Sequence, residues 1–138
     1  MNWYLKVVKD NYANFQGRAR RKEFWMFYLF HIIFILVLAF IGGALSVESD
    51  SGIAFVAIGI YFLATIIPFL AVSVRRLHDT GKSGWYYLLT LIPYVGGIIM
   101  IVLMSQNGDV GKNQYGLDPK NPEIDNEIDE IGKPQIEA

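Results

Sequence analysis

Apolar positions at the amino end recur at helical spacing: Met1, Leu5, Val8, Tyr12 and Phe15 step by four and three, with Lys6 and Lys9 alongside. The spacing predicts an N-terminal amphipathic helix lying in a membrane interface, although docking onto neighbouring helices would give the same stripe. Gly17 offers a break before the basic run Arg18 to Lys22. The pattern then changes character. Phe24 to Leu45, Gly52 to Val74 and Trp85 to Met104 contain no Asp, Glu, Lys or Arg. At about 1.5 Å per residue each is long enough for a hydrocarbon core of ~30 Å. The expected fold is therefore an all-α membrane protein with three transmembrane helices. A soluble helical bundle would need polar faces on most of its helices, because one small core cannot hide three that are apolar all round.

The third stretch carries Pro93, which removes a backbone donor, and Gly96 and Gly97 follow it. It is expected as a transmembrane helix kinked at Pro93. The rival is a re-entrant hairpin turning at 93–97, whose halves are each too short to cross and which would return the tail to the cytoplasm. Residues 1–118 then form the membrane domain. The remainder, 119–138, is acidic and punctuated by proline, with isolated Ile residues too sparse to bury a core, and is expected to be a disordered tail.

Charge sets the direction of insertion. Six of the twelve Lys and Arg lie within 1–23, whereas the loop Ser46 to Ser51 holds none and includes Glu48 and Asp50. The positive-inside tendency places the amino terminus in the cytoplasm, and Arg75, Arg76 and Lys82 in the second loop give the same orientation. Trp25, Tyr28, Trp85, Tyr86 and Tyr87 fall at the cytoplasmic ends of spans one and three, where amphipathic rings favour the headgroup level. The composition, 53% hydrophobic and 18% charged, departs from the soluble balance in the same sense. The first apolar run is long and starts only at Phe24, so it reads as an anchor and not a cleaved leader. With no cysteine, disulfides, thiolate nucleophiles and Cys-based metal sites are excluded.

Three separated motifs, GRARRKEFWMF at 17–27, RRLHDTGKSGW at 75–85 and GKNQYGLDP at 111–119, stand in order around these apolar stretches. In them the chain resembles the YhaH/YhaI-like family of small bacterial inner-membrane proteins, a domain of unknown function, over residues 1 to about 119. The resemblance implies a bacterial cytoplasmic-membrane location. It brings no catalytic residue, substrate or cofactor with it.

Candidate chemistry must come from the residues themselves. Arg18, Arg20, Arg21, Lys22, Arg75, Arg76 and Lys82 converge on one leaflet, where each cation near an anionic surface contributes about 1 kcal/mol. Contact with lipid headgroup phosphates follows, and the plainer account is that these charges only set topology. His78 and Asp79 lie in the second loop, where three enzymatic patterns are incomplete. Gly81-Lys82-Ser83 ends like a phosphate-binding loop but has Arg76 where that motif needs glycine. Asp79-Thr80-Gly81 spells the aspartic-protease triplet without its β architecture. A His78 general base oriented by Asp79 has no nucleophile or metal set beside it. The structural account has Asp79 and the glycines turning the chain between two helices, with Arg76 or Lys82 pairing to Asp79. His31, inside the first span, is a polar intramembrane candidate that Tyr61 or Thr65 could satisfy. Residues 107–119 are rich in turn formers but lack the spacing of a calcium loop, and Tyr115 is expected to pack at the interface. The expected function is a non-enzymatic inner-membrane protein whose basic cytoplasmic face engages anionic lipid headgroups or a membrane partner, another copy included. The alternative is a small oligomeric transporter or channel. No cofactor, bound metal or nucleic acid enters either reading.

Overall fold

The computed structural model describes residues 2–46 and 52–122; the acidic loop around Glu48 and Asp50 lies outside the described residues, as does all of the expected disordered tail, 119–138, beyond its first four residues. Those residues are helical, with no strand among them and one isolated bridge between Asn113 and Gly116. Two compact units divide the chain: Met1–Phe15 with Lys22–Val72, and Gln16–Arg21 with Ser73–Ala138.

In the first unit, α1 (Asn2–Leu5) runs into a π-helical turn, Lys6–Asp10. The helix expected over 1–15 is thus shorter, and the residue it buries against the protein, Val7, lies outside the predicted stripe. Val7 is fully buried, whereas Tyr12 and Phe15 are exposed. Tyr4 explains the difference, because its ring stacks on Phe27 at 5.2 Å and lies against Phe34 at 5.4 Å, docking the segment onto the next helix.

Two helices have spanning length: α2 (Arg21–Ser46) and α3 (Ile53–Asp79). Large apolar side chains point away from the chain along both, with Phe40 79% and Phe55 78% exposed. Water does not tolerate so wide an apolar surface on a small monomer, and acyl chains do. Pro68 lies inside α3, where the missing N–H frees the carbonyl four residues earlier, that of Ala64. The Tyr12 hydroxyl donates to that carbonyl at 2.6 Å. An aromatic placed outside the long helices therefore repairs the hydrogen-bond ladder that the proline breaks.

In the second unit α3 continues five residues beyond the expected end of its span, so Arg75, Arg76, His78 and Asp79 are helical and not part of a loop. Gly81 stops it. With φ at +68° it takes the left-handed position past the helix end, while Lys82 N donates to Leu77 O and Gly81 N to His78 O, each at 3.0 Å. These paired bonds satisfy carbonyls that the helix would otherwise leave open.

The third apolar stretch is not one helix, which corrects the expected three-helix count to two helices of spanning length among the described residues. Residues Gly84–Leu91 form a 3₁₀ helix capped by Ser83, and α4 covers only Gly96–Ser105. Pro93 ends the first piece, and Tyr94 beyond it has a φ of 65°, a reversal that a side chain with a Cβ seldom adopts.

Replacing Tyr12 by Phe should lower stability by about 1 kcal/mol, read as thermal unfolding in detergent, because the Ala64 carbonyl loses its donor in an apolar setting. In a Pro68→Ala background, which restores the backbone N–H, the same change should cost close to nothing. Equal losses in both backgrounds would separate the hydroxyl from the proline.

Candidate functional site

The second unit gathers three stretches of sequence around one carboxylate. Asp79, in the last turn of α3, is 1% exposed. Arg18 Nε donates to its Oδ1 at 3.0 Å, and Arg76 Nη1, one turn back on α3, donates to its Oδ2. Both arginines are buried. Two guanidiniums around one carboxylate leave N–H donors to satisfy, since an unpaired buried donor costs about 1–3 kcal/mol. Backbone carbonyls supply the partners. Arg18 Nη1 donates to Gly111 at 2.5 Å and to Gly116 at 3.4 Å, and Nη2 donates to the Asp109 carbonyl. Arg76 Nε donates to Met104 O at 3.1 Å and Nη2 to Gln106 O, both at the carboxyl end of α4. That end carries open carbonyls and the negative pole of the helix, so a cation there acts as a cap.

Main-chain bonds draw the same strands of chain together. Asp109 N donates to Asp79 O at 2.7 Å and Ala19 N to Arg75 O at 3.0 Å. Gly108 permits this approach, because a Cβ there would overlap the Asp79 carboxylate. Gly81 faces the same demand, its added Cβ falling 2.7 Å from Asp109 Oδ2.

His78 holds a separate set of partners. Its ring stacks on Tyr115 at 3.9 Å with planes 1° apart, its Nδ1 donates to Gly17 O at 3.2 Å, and its own carbonyl accepts from Asn113 Nδ2 at 2.9 Å. Tyr115, expected at an interface, therefore packs on His78. The structure does not bring the imidazole onto Asp79, whose two oxygens are taken by arginines. The dyad considered for acid–base chemistry is absent from this arrangement among the described residues.

The seven basic candidates separate. Arg18 and Arg76 turn inward on Asp79 and Arg75 is buried, so none of the three presents its side chain to a headgroup. Arg20 Nε donates to the Pro119 carbonyl. Arg21 and Lys82 remain at the surface and are held by adjacent residues: Arg21 Nη1 donates to Asn107 Oδ1 at 2.7 Å, and Lys82 Nζ to Gln106 Oε1 at 2.9 Å. In the first unit Lys22 and Lys6 lie over the Trp3 ring at 5.9 and 5.6 Å, and Lys6 also reaches Glu23 at 3.6 Å. His31 is buried in that unit, with Nδ1 3.1 Å from the Tyr61 hydroxyl, itself 3.4 Å from that of Tyr4. Thr65, the other partner considered for His31, donates instead to the Tyr61 carbonyl of its own helix.

Asp79 is the only Asp or Glu between residues 51 and 108, so a lone acid beside an arginine pair was the available signal for this centre. The carbonyl ligands at 104, 106, 109, 111 and 116 had none, because any residue carries one. Asp79→Ala should lower stability by about 3–5 kcal/mol, since it strands two buried guanidiniums. Thermal unfolding of the purified protein in detergent checks this; a loss under ~1 kcal/mol would mean that the carbonyls alone hold the arginines.

The sequence has known relatives. Over 120 residues the chain is 48% identical to the inner membrane protein YhaH of Escherichia coli K12, covering 87% of this chain and 98% of that one. It is 43% identical over 120 residues to the inner membrane protein YhaI of the same strain, covering 87% and 97%. A more distant relative, the uncharacterized protein YiiR of that strain, is 26% identical over 133 residues, with 78% and 87% covered. No solved structure matches the chain. The family model described as "Protein of unknown function (DUF805)" matches residues 12–117, a segment that holds both long helices and every residue of the Asp79 centre, and the chain belongs to that family.

Proposed function

We propose that the chain is a non-enzymatic inner-membrane protein whose basic cytoplasmic face engages anionic lipid headgroups. The inner-membrane placement draws on the names of YhaH and YhaI and on the apolar exposure of α2 and α3. In this reading both long helices cross the bilayer and the amino terminus is cytoplasmic, as the distribution of Lys and Arg favours. The helical turns at 2–10 lie at that interface, with Trp3 between Lys6 and Lys22.

One observation carries the lipid reading: Arg21 and Lys82 are each held by a neutral amide, on the successive residues Asn107 and Gln106. Asn107 and Gln106 orient these cations without cancelling their charge, whereas Asp79 neutralises part of the charge on Arg18 and Arg76. A phosphate diester meeting either donor gains charge-assisted hydrogen bonds that water does not match.

A second reading, a small oligomeric transporter or channel, draws on the line of polar groups from His31 through Tyr61 to Tyr4 within apolar surroundings. The two separate in proteoliposomes. The first predicts no movement of ions or small solutes; a flux abolished by His31→Ala would favour the second.

The paired change Arg21→Gln with Lys82→Gln should weaken binding of the detergent-solubilised protein to anionic-lipid nanodiscs, and raised salt should weaken the wild type in the same way. Loss of two contacts of ~1 kcal/mol each corresponds to roughly a thirtyfold change in affinity. Binding that ignores both the substitutions and the salt would remove lipid engagement from the proposal.

A further inference from the structure

Lys82 and Gln106 bracket the third apolar stretch, yet their side chains share a hydrogen bond at 2.9 Å. Along a continuous α-helix, residues 24 positions apart would stand about 36 Å from one another. The backbone repeats the closure, with Asp109 N on Asp79 O at 2.7 Å. The stretch therefore ends where it begins. Its arms are the eight residues of the 3₁₀ helix and the ten of α4, about 16 and 15 Å long, each half of a ~30 Å hydrocarbon core.

The arms lie against each other. A Cβ on Gly96 would overlap the carbonyl of Leu89 and approach that of Thr90, so glycine lets α4 start directly on the 3₁₀ backbone. The reversal also satisfies most of its own donors, as a turn in an apolar medium must. Ile92 N donates to Leu89 O at 3.1 Å, Val95 N to Pro93 O at 2.8 Å and Gly96 N to Ile92 O at 2.9 Å, while Pro93 has no donor to lose. The outward side is apolar and open: Leu91 is 75% exposed, Ile98 64%, and Tyr94 at the apex 98%. Lys82 stands at the neck, with Arg21 held on the residue next to its partner. Cations above and bare hydrocarbon below follow the order of headgroup and acyl chain within one leaflet.

We infer that residues 84–105 are a re-entrant hairpin sunk into the acyl chains of a single leaflet, so that both its ends, and the chain that follows at 106–122, return to the face it entered from. The choice of the cytoplasmic leaflet rests on the orientation proposed above. The return to one face does not.

The native chain has no cysteine, so single substitutions report alone. Lys9→Cys, Tyr94→Cys and Lys120→Cys in the full chain are treated with a membrane-impermeant maleimide, in right-side-out spheroplasts and in inverted inner-membrane vesicles. The expected result is that positions 9 and 120 react from the same face, and that position 94 reacts from neither until detergent is added. Reaction of 120 from the face opposite to 9 would overturn the hairpin in favour of a full crossing. Reaction of 94 from the far face, or from the near face in intact membranes, would overturn its burial in one leaflet. If 9 and 120 both react only from the periplasmic face, the hairpin stands and the proposed orientation falls. Ile98→Cys gives the same reading on α4 should Tyr94→Cys fail to insert.

Discussion

The second unit depends on one carboxylate that cannot be spared. Asp79 is shared by Arg18 and Arg76, and the charge it leaves over is spread across the carbonyls of residues 104, 106, 109, 111 and 116. Each of these contacts is ordinary alone. Together they join the residues just before α2, the end of α3 and the segment after α4, three places far apart in the chain and individually too polar to pack. Burying an ion pair seldom adds stability over a well-packed apolar core. What it provides is geometry, because a planar guanidinium accepts only a few arrangements of partners.

That geometry divides the basic residues into two groups with different duties. Those turned inward organise the fold, and their charge is spent there. Those turned outward, Arg21 and Lys82, are positioned by amides and keep their charge, which is the basis for the proposed engagement of anionic headgroups. Basic residues next to a membrane are readily taken as a single patch. Here the neighbours Arg20 and Arg21 already part, one donating to the Pro119 carbonyl and the other to the Asn107 side chain.

Much of the fold was legible in the sequence, for a physical reason. Helix α2 and the apolar part of α3 follow from unbroken runs without charge, and the start and end of such runs need no knowledge of the rest of the chain. The glycine after Asp79 was readable as a turn for the same local reason. The third stretch is equally apolar, and Pro93 with Gly96 and Gly97 allowed either a kinked span or a hairpin; the polar closure between residues on either side, which favours the hairpin, leaves no mark in composition. The extension of α3 through Arg75 to Asp79 was also missed, since charged residues read as loop unless their partners are known. At the centre the identities of Arg18, Arg76 and Asp79 were visible, whereas their carbonyl partners carry no sequence mark. The Tyr12 bond to Ala64 lies between these cases: Pro68 announces a freed carbonyl, but nothing local says which donor fills it.

The reach of Arg18 has a consequence for biosynthesis. Its guanidinium leaves the ribosome early, yet its carbonyl partners at 109, 111 and 116 follow more than ninety positions later. At about 5–20 residues per second that is a delay on the order of ten seconds, during which α2 and α3 can already have entered the bilayer. The carbonyl half of the centre can therefore close only after both long helices have been synthesised, so it fastens elements that already exist and does not guide their formation.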